Sequence, residues 1–352
     1  MFSYYFVFIL LRYGFIHSEN LPSKLDVNEE RHIETELQRE IKWLKMIKHW
    51  HKKENSDKLN KRIFKGIPNK LRSSVWAKLF NLEKIMKENK DVYAKMLTLA
   101  QKYSTDIRQI DSDVNRQFRD HVSFRERYNI KQQQLFNVLA AYSMYNMEVG
   151  YCQGMSTLAG CLLIYLDEEE SFWALNALLT DKKFAMHGLY IEGFPKLMRF
   201  LAHHDRILTK FLPKLKKHFD RHNLDAVLYS LKWFFVIFIE RIPFRLCLRV
   251  LDIYFLQGER VATAMAYTIL KLHRDKLLKF KDMDLITEYL QYKLQKSFGY
   301  SDNFVIKSLE QSLADLKSAK LDLPPPATAE EYPKFPMGKY IEPTIEKKVK
   351  EI

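Results

Sequence analysis

Apolar residues along this chain recur mostly at three- and four-residue intervals, the period of a helix with one buried face. No segment alternates convincingly with the two-residue period of a strand. The first helical pattern covers 28–52, where Ile41, Trp43, Leu44, Ile47 and Trp50 share an apolar side. Lys42, Lys45, Lys48 and Lys52 spread over the remainder. Gly66, Ile67 and Pro68 then punctuate the chain, and Leu71, Val75, Trp76 and Leu79 predict a helix beginning near Asn69. Leu135, Val138, Leu139, Tyr142 and Tyr145 mark another, which Gly150 is placed to end with a left-handed cap.

The stretch 158–166 is apolar throughout, and the acidic run Asp167, Glu168, Glu169 and Glu170 heads the next apolar run, 172–179. Carboxylates suit a helix N-terminus. Consecutive ones diverge around a helix, which favours a cap over a metal site. Further helices are predicted over 196–218, 224–241, 244–256, 259–274, 284–296 and 302–318. No fixed-period repeat appears. Leu323 followed by Pro324, Pro325 and Pro326 ends regular structure. The pattern therefore predicts an all-α protein in three parts. Residues 1–59 form an extension carrying an amphipathic helix, 60–320 the folded body, and 321–352 an extended or disordered tail.

Composition agrees with this. Among 352 residues, 47% are hydrophobic and 28% charged, with only 10 Gly and 11 Pro to interrupt helices. The three cysteines, Cys152, Cys161 and Cys247, show neither zinc-ligand spacing nor a disulfide framework, so free buried thiols are expected. The net charge of +14 calls for an anionic partner or only for solubility. A nucleic-acid binder would concentrate its lysines around stacking aromatics, whereas these are spread over many helix faces. The run MFSYYFVFILL is about half the length that spans a bilayer. It also lacks the basic start and cleavage site of a secretory signal. A mis-assigned start codon or a short membrane-touching end accounts for it better.

No phosphate-binding G-x-x-x-x-G-K-[ST] loop, G-x-S-x-G elbow or H-E-x-x-H helix is present. Two short segments stand out instead. In the first, Ile110, Asp113 and Arg116 fall at spacings that put Asp113 and Arg116 on one helix face, where the carboxylate can hold the guanidinium. Taken alone, this fits an ordinary surface ion pair, worth about 0–1 kcal/mol. In the second, Gln153 stands between Gly150 and Gly154 at a helix break, with Tyr151 beside it. Taken alone, this fits a helix–helix turn whose amide caps a backbone group.

Together the two segments resemble the I-x-x-D-x-x-R and Y-x-Q-G signatures of TBC-domain Rab GTPase-activating proteins. Arg72 and Trp76 match a third family motif, R-x-x-x-W, in the right order. Trp233, Phe234, Pro243, Arg249, Asp252 and Gly258 resemble a fourth, with Leu251 where the family usually has Trp. The resemblance covers about residues 60 to 320, and the wording of several segments is closest to the RN-tre subgroup.

The resemblance implies a TBC helical fold of two helical subdomains. It also implies an activator, not itself a hydrolase, that lends catalytic residues to a GTP-bound Rab-type GTPase. Arg116 would be an arginine finger and Gln153 a glutamine finger that orients the attacking water. Asp113, Ile110 and Asn115 would support the first, and Tyr151 and Gly154 the second. Arg72 and Trp76 would serve as scaffold and interface support. The chain would need no cofactor of its own, since the partner holds GTP and Mg2+. A cytoplasmic protein peripheral to endosomal or Golgi membranes would follow, its basic segments touching anionic lipid and no nucleic acid. A non-catalytic TBC scaffold holding a Rab or an effector is the alternative.

Overall fold

The computed structural model describes residues 9–10, 13–17, 27–52 and 56–340. Most of the run MFSYYFVFILL and the segment 341–352 therefore lie outside the described residues.

Helices build the described molecule. The amino-terminal set comprises α1 (Val27–Lys48), α2 (Asp57–Lys65), α3 (Arg72–Leu79), α4 (Leu82–Glu88), α5 (Val92–Tyr103) and α6 (Ile107–Arg116). It continues with α7 (Ile130–Tyr145), α8 (Met155–Leu163) and α9 (Glu168–Thr180). The carboxy-terminal set comprises α10 (Pro195–Phe211), α11 (Pro213–Arg221), α12 (Ala226–Phe235), α13 (Phe244–Gln257) and α14 (Arg260–Leu277). It ends with α15 (Met283–Glu288), α16 (Leu294–Lys296) and α17 (Asp302–Ser318). A ladder of Ile9–Leu10 with Ile16–His17 is the one strand pairing among the described residues.

In the first set, α5, α6, α8 and α9 all pack on α7. In the second, α14 contacts α10, α12, α13 and α17. The two sets are sewn together where α13 meets α2 and α3, and their side chains form one continuous apolar core. Trp76, Trp173 and Trp233 are fully buried in it. Leu251 is buried as well, so the smaller side chain at the expected Trp position fills core space.

Local chemistry explains the element ends. The acidic run does cap: Asp167 and Glu170 form a capping box at the start of α9. The helix expected over 196–218 is two helices, because Pro213 lacks an N–H and begins α11 afresh. The helix expected over 224–241 stops at Phe235. Beyond it Ile237, Phe238 and Glu240 all take left-handed backbone conformations, which no helical pattern signals. The segment 284–296 is interrupted by a π-turn over Tyr289–Lys293. Helices α2, α4 and α5 were not among those expected, although Leu59, Ile63 and Phe64 mark a buried face on α2 and Tyr93, Met96 and Ala100 one on α5.

The described part of the tail, residues 321–340, is extended but packed. Residues 321–340 do not trail away but run back over the body as a strap. Buried Glu331 accepts two bonds from Arg199, at 2.6 Å from Nε and 2.7 Å from Nη2. His203 Nε2 donates to the Leu321 carbonyl at 3.0 Å. Apart from one 3-10 turn over Ala329–Glu331, the chain here is extended, and it satisfies its polar groups with the body's side chains.

Candidate functional site

Arg116 is the last residue of α6, where a cation also suits the negative end of the helix. Oδ1 of Asp113, one turn earlier, accepts from its Nε at 2.9 Å and from Nη2 at 2.6 Å. The pairing is lopsided: the Asp113 side chain is 8% exposed, and that of Arg116 is 60% exposed. The inner edge of the guanidinium is therefore fixed while much of it stays open to solvent.

The second oxygen of Asp113 is also engaged. The Tyr151 hydroxyl donates to Oδ2 at 2.6 Å, so one buried carboxylate joins the end of α6 to the loop before α8. Burial raises the Tyr151 pKa, and that bond raises it further, so the hydroxyl stays protonated as a donor. Gln153 lies two residues beyond, and its side chain is exposed. The loop turns sharply there, with the Cys152 N–H donating to Met155 Sδ at 3.3 Å. Gly154 takes φ +104°, a conformation that a side chain would strain. It lies 3.5 Å, measured from the position of an added Cβ, from Val236 Cγ1.

Two further ties were not foreseen from sequence. Asp106 stands at the N-cap position of α6 yet caps nothing. Its Oδ2 accepts the Tyr151 backbone N–H at 2.9 Å instead. Gly150, at φ +59°, makes room, because a Cβ there would lie 2.9 Å from that same oxygen. Burial pushes the Asp106 carboxyl up, and the Tyr151 N–H partly offsets this. Gln117, buried just after Arg116, donates to Glu240 at 3.0 Å. Its Oε1 accepts from the hydroxyls of Ser156 (3.3 Å) and Thr157 (3.0 Å) in the first turn of α8. An aspartate before a helix reads as a cap, and a Gln after one reads as nothing, so neither tie had a legible signal.

The remaining expected residues sort clearly. Ile110 is fully buried and anchors α6. The carbonyl of Asn115 accepts from Arg119 Nε at 2.9 Å, and its Oδ1 from Nη2 at 3.1 Å, a brace on the outer side of α6. Arg72 and Trp76 are buried 3% and 0% exposed, away from any partner's reach. Arg72 Nε donates to Asp252 at 3.1 Å and Trp76 Nε1 to the same carboxylate at 2.8 Å. Burial opposes the charge on Arg72, but Asp252 outweighs it and raises the Arg72 pKa, so the guanidinium stays charged. These two residues tie α3 to α13. Both side chains lie inside the core at that junction.

Electrostatically, Arg116 shares its surroundings with Lys232, Glu240 and Arg241. Burial lowers the Lys232 pKa, and the nearby cations Arg241 and Arg116 lower it further. Burial also raises Glu240 despite those cations. Ile237, Phe238 and Glu240, the left-handed residues, fall in this same stretch. It is held by Tyr190, whose hydroxyl donates to the Phe235 carbonyl at 2.5 Å, and by the Cys247 thiol on Ile237 O at 3.7 Å. All three cysteines are free. Among the described residues, no group of three or more His, Cys, Asp or Glu is arranged to hold a metal ion.

An exposed cation and an exposed amide thus stand on neighbouring, cross-braced segments of a helical body. A model of the Rab-GTPase-TBC domain matches residues 69–278, and the chain belongs to that RabGAP-TBC family of GTPase activators. Growth hormone-regulated TBC protein 1 of Xenopus laevis is 31% identical over 307 residues, covering 82% of this chain and 87% of its own length. TBC1 domain family member 10B of Mus musculus is 31% identical over 267 residues, which is 74% of this chain but only 32% of the mouse protein. The solved TBC domain of a Chlamydomonas flagellar RabGAP shares the fold, with a TM-score of 0.70 at 24% identity. That match covers 86% of this chain and 99% of that one.

Proposed function

We propose that this chain accelerates GTP hydrolysis by a Rab-type GTPase, inserting Arg116 and Gln153 into the partner's nucleotide site. The observation that carries the reading is the Asp113 carboxylate, which accepts from Arg116 and Tyr151 at once. It holds the cation from one segment at a fixed offset from the loop that bears the amide.

The chemistry asks for two things. Negative charge develops on the departing nucleotide, and a water must stand in line with the γ-phosphate. An arginine delivered in trans is worth about 10³–10⁵ in rate. The planar fork of Arg116 can meet phosphate oxygens with its solvent-facing edge while Asp113 keeps the other edge in place. Gln153 brings both an acceptor and a donor, the pair needed to orient a water. The partner would hold GTP and Mg2+, and this chain would contribute no cofactor. Lys232, near enough to feel the charge of Arg116, would add to the positive field that an anionic nucleotide meets.

The wording of the two finger segments favours a place near the RN-tre subgroup, and with it endosomal or Golgi Rabs as substrates. A membrane contact belongs to the same reading. The single apolar side expected of α1 is split in two: Trp43 and Met46 are buried, whereas Leu37, Ile41 and Leu44 point outward on the opposite face, with Lys42, Lys45 and Lys48 exposed along that half of the helix. An apolar stripe beside lysines suits an anionic bilayer surface. Among the described residues no helix is long and apolar enough to cross one. Sedimentation with phosphatidylserine vesicles should fall sharply in an Ile41→Glu, Leu44→Glu double variant. Unchanged sedimentation would remove α1 as the contact.

Single-turnover hydrolysis against a panel of GTP-loaded Rabs tests the reading. Stimulation of at least one member supports it. Binding without stimulation would instead support a scaffold.

A further inference from the structure

The strap ends against the two stretches of chain from which the fingers emerge. The Gly338 N–H donates to the Tyr145 carbonyl at 2.7 Å. That oxygen belongs to the last turn of α7, where helical carbonyls lack an internal partner. The Lys334 N–H donates to Glu148 at 2.8 Å, in the turn that follows. Tyr340 stacks on Tyr103, the last residue of α5, with ring centroids 4.7 Å apart.

These contacts lie a few residues upstream of the site on both limbs. Tyr145 and Glu148 lead directly into Gly150, Tyr151 and Gln153. Tyr103 leads through Ser104 into Asp106, whose carboxylate holds the Tyr151 N–H. The strap's root is equally firm. Glu331 is 1% exposed, paired with Arg199, and its Cβ occupies the space that a side chain at Gly188 would need, 2.9 Å away. Arg199 Nη1 also holds the Pro325 carbonyl at 2.8 Å. A segment rooted by an ion pair and laid over both limbs restrains how far they can part.

We propose that residues 328–340 are a positioning element for the glutamine loop, so that the presentation of Gln153 depends on a segment well outside the matched 69–278 region. The proposal rests on the reading of Gln153 given above. Gly338 is its weak point and its handle. The residue sits at φ +71°, and a Cβ there would approach Tyr145 Cε2 to 3.0 Å. A side chain at 338 therefore strains the backbone and crowds the Tyr145 ring, and a branched one crowds it most.

The test uses the full chain carrying Gly338→Val, alongside Glu148→Ala and Glu148→Gln. Amide hydrogen exchange reports the loop in the free protein, and single-turnover hydrolysis by a stimulated Rab reports catalysis. In Gly338→Val the amides of 149–154 should exchange about tenfold faster, while those of α14 stay as protected as before. The maximal stimulated rate should drop by about ten- to a hundredfold, with the half-saturating concentration little changed. Glu148→Ala should follow, and Glu148→Gln, which keeps an acceptor for Lys334, should stay near the parent. Wild-type exchange and rate in Gly338→Val would overturn the proposal. So would losses that track exchange in α14, since they would mark plain unfolding. If the parent chain stimulates no Rab, the reading of Gln153 fails, while the exchange data still decide whether the strap holds the loop.

Discussion

Asp113 carries more of the site than its small size suggests. It is buried, it pairs with Arg116, and both its oxygens are used. Removing it would free the guanidinium and the Tyr151 hydroxyl together. Asp106 plays the companion part on the backbone. Asp106→Ala should cost about 1–3 kcal/mol by stranding the Tyr151 N–H, measured by urea denaturation, and should lower the maximal stimulated rate. Asp106→Asn retains an acceptor and should recover most of both. Gly150→Ala puts a methyl against the same carboxylate in a left-handed backbone, and should destabilise by about 1–2 kcal/mol. At this scale the sequence was legible where a residue's neighbours in the chain were also its partners. Asp113 and Arg116 are three apart, and spacing alone brought them together. Asp106 and Tyr151 are 45 apart, and a carboxylate before a helix looks like any other cap. Arg72 shows the opposite limit, because a motif match cannot say whether an arginine faces a partner or a buried aspartate.

Helices carried the sequence reading well because each buries a face, and a buried face leaves a periodic trace. The trace fails where backbone rather than side chain decides. Pro213 splits a continuous apolar pattern into α10 and α11. Ile237, Phe238 and Glu240 end α12 early through left-handed conformations held by tertiary bonds from Tyr190 and Cys247. The strap lacks a period altogether, since extended chain pinned by Arg199 and His203 buries little that recurs. Element ends make separable predictions. Asp167→Ala removes the capping box of α9, and should lower stability by about 1 kcal/mol in a denaturant titration. Stimulation of a Rab should be unchanged, because α9 supplies none of the site's side chains.

Across the whole molecule, buried histidines set the acid limit. Burial lowers His204 to about 3 and His273 to about 4, against 6.5 for a free imidazole. His204 bonds the Tyr229 hydroxyl and His273 that of Tyr289, each through one ring nitrogen. Unfolding therefore takes up protons below pH 6.5 that the folded protein refuses. Stability should be complete above that pH and fall as pH drops toward 4, by up to about 1.4 kcal/mol per pH unit for each histidine. Thermal melts between pH 7.5 and 5 would show it, and a flat profile would contradict the burial.

At the same scale, packing of α6 and α8 on α7 within the amino-terminal set stands α6 and the loop before α8 side by side. The functional claim is that their exposed tips act inside another protein. The most direct measurement is single-turnover GTP hydrolysis by a responsive Rab with the parent chain, Arg116→Ala, Arg116→Lys and Gln153→Ala. Arg116→Ala should lose about 10³–10⁵ of the stimulated rate, with Arg116→Lys little better and Gln153→Ala close behind. Gln153→Ala and Arg116→Lys should melt close to the parent, while Arg116→Ala, which strands Oδ1 of the buried Asp113, should lose about 1–3 kcal/mol and still fold. Stimulation that survives in the folded Arg116 and Gln153 variants would contradict the account.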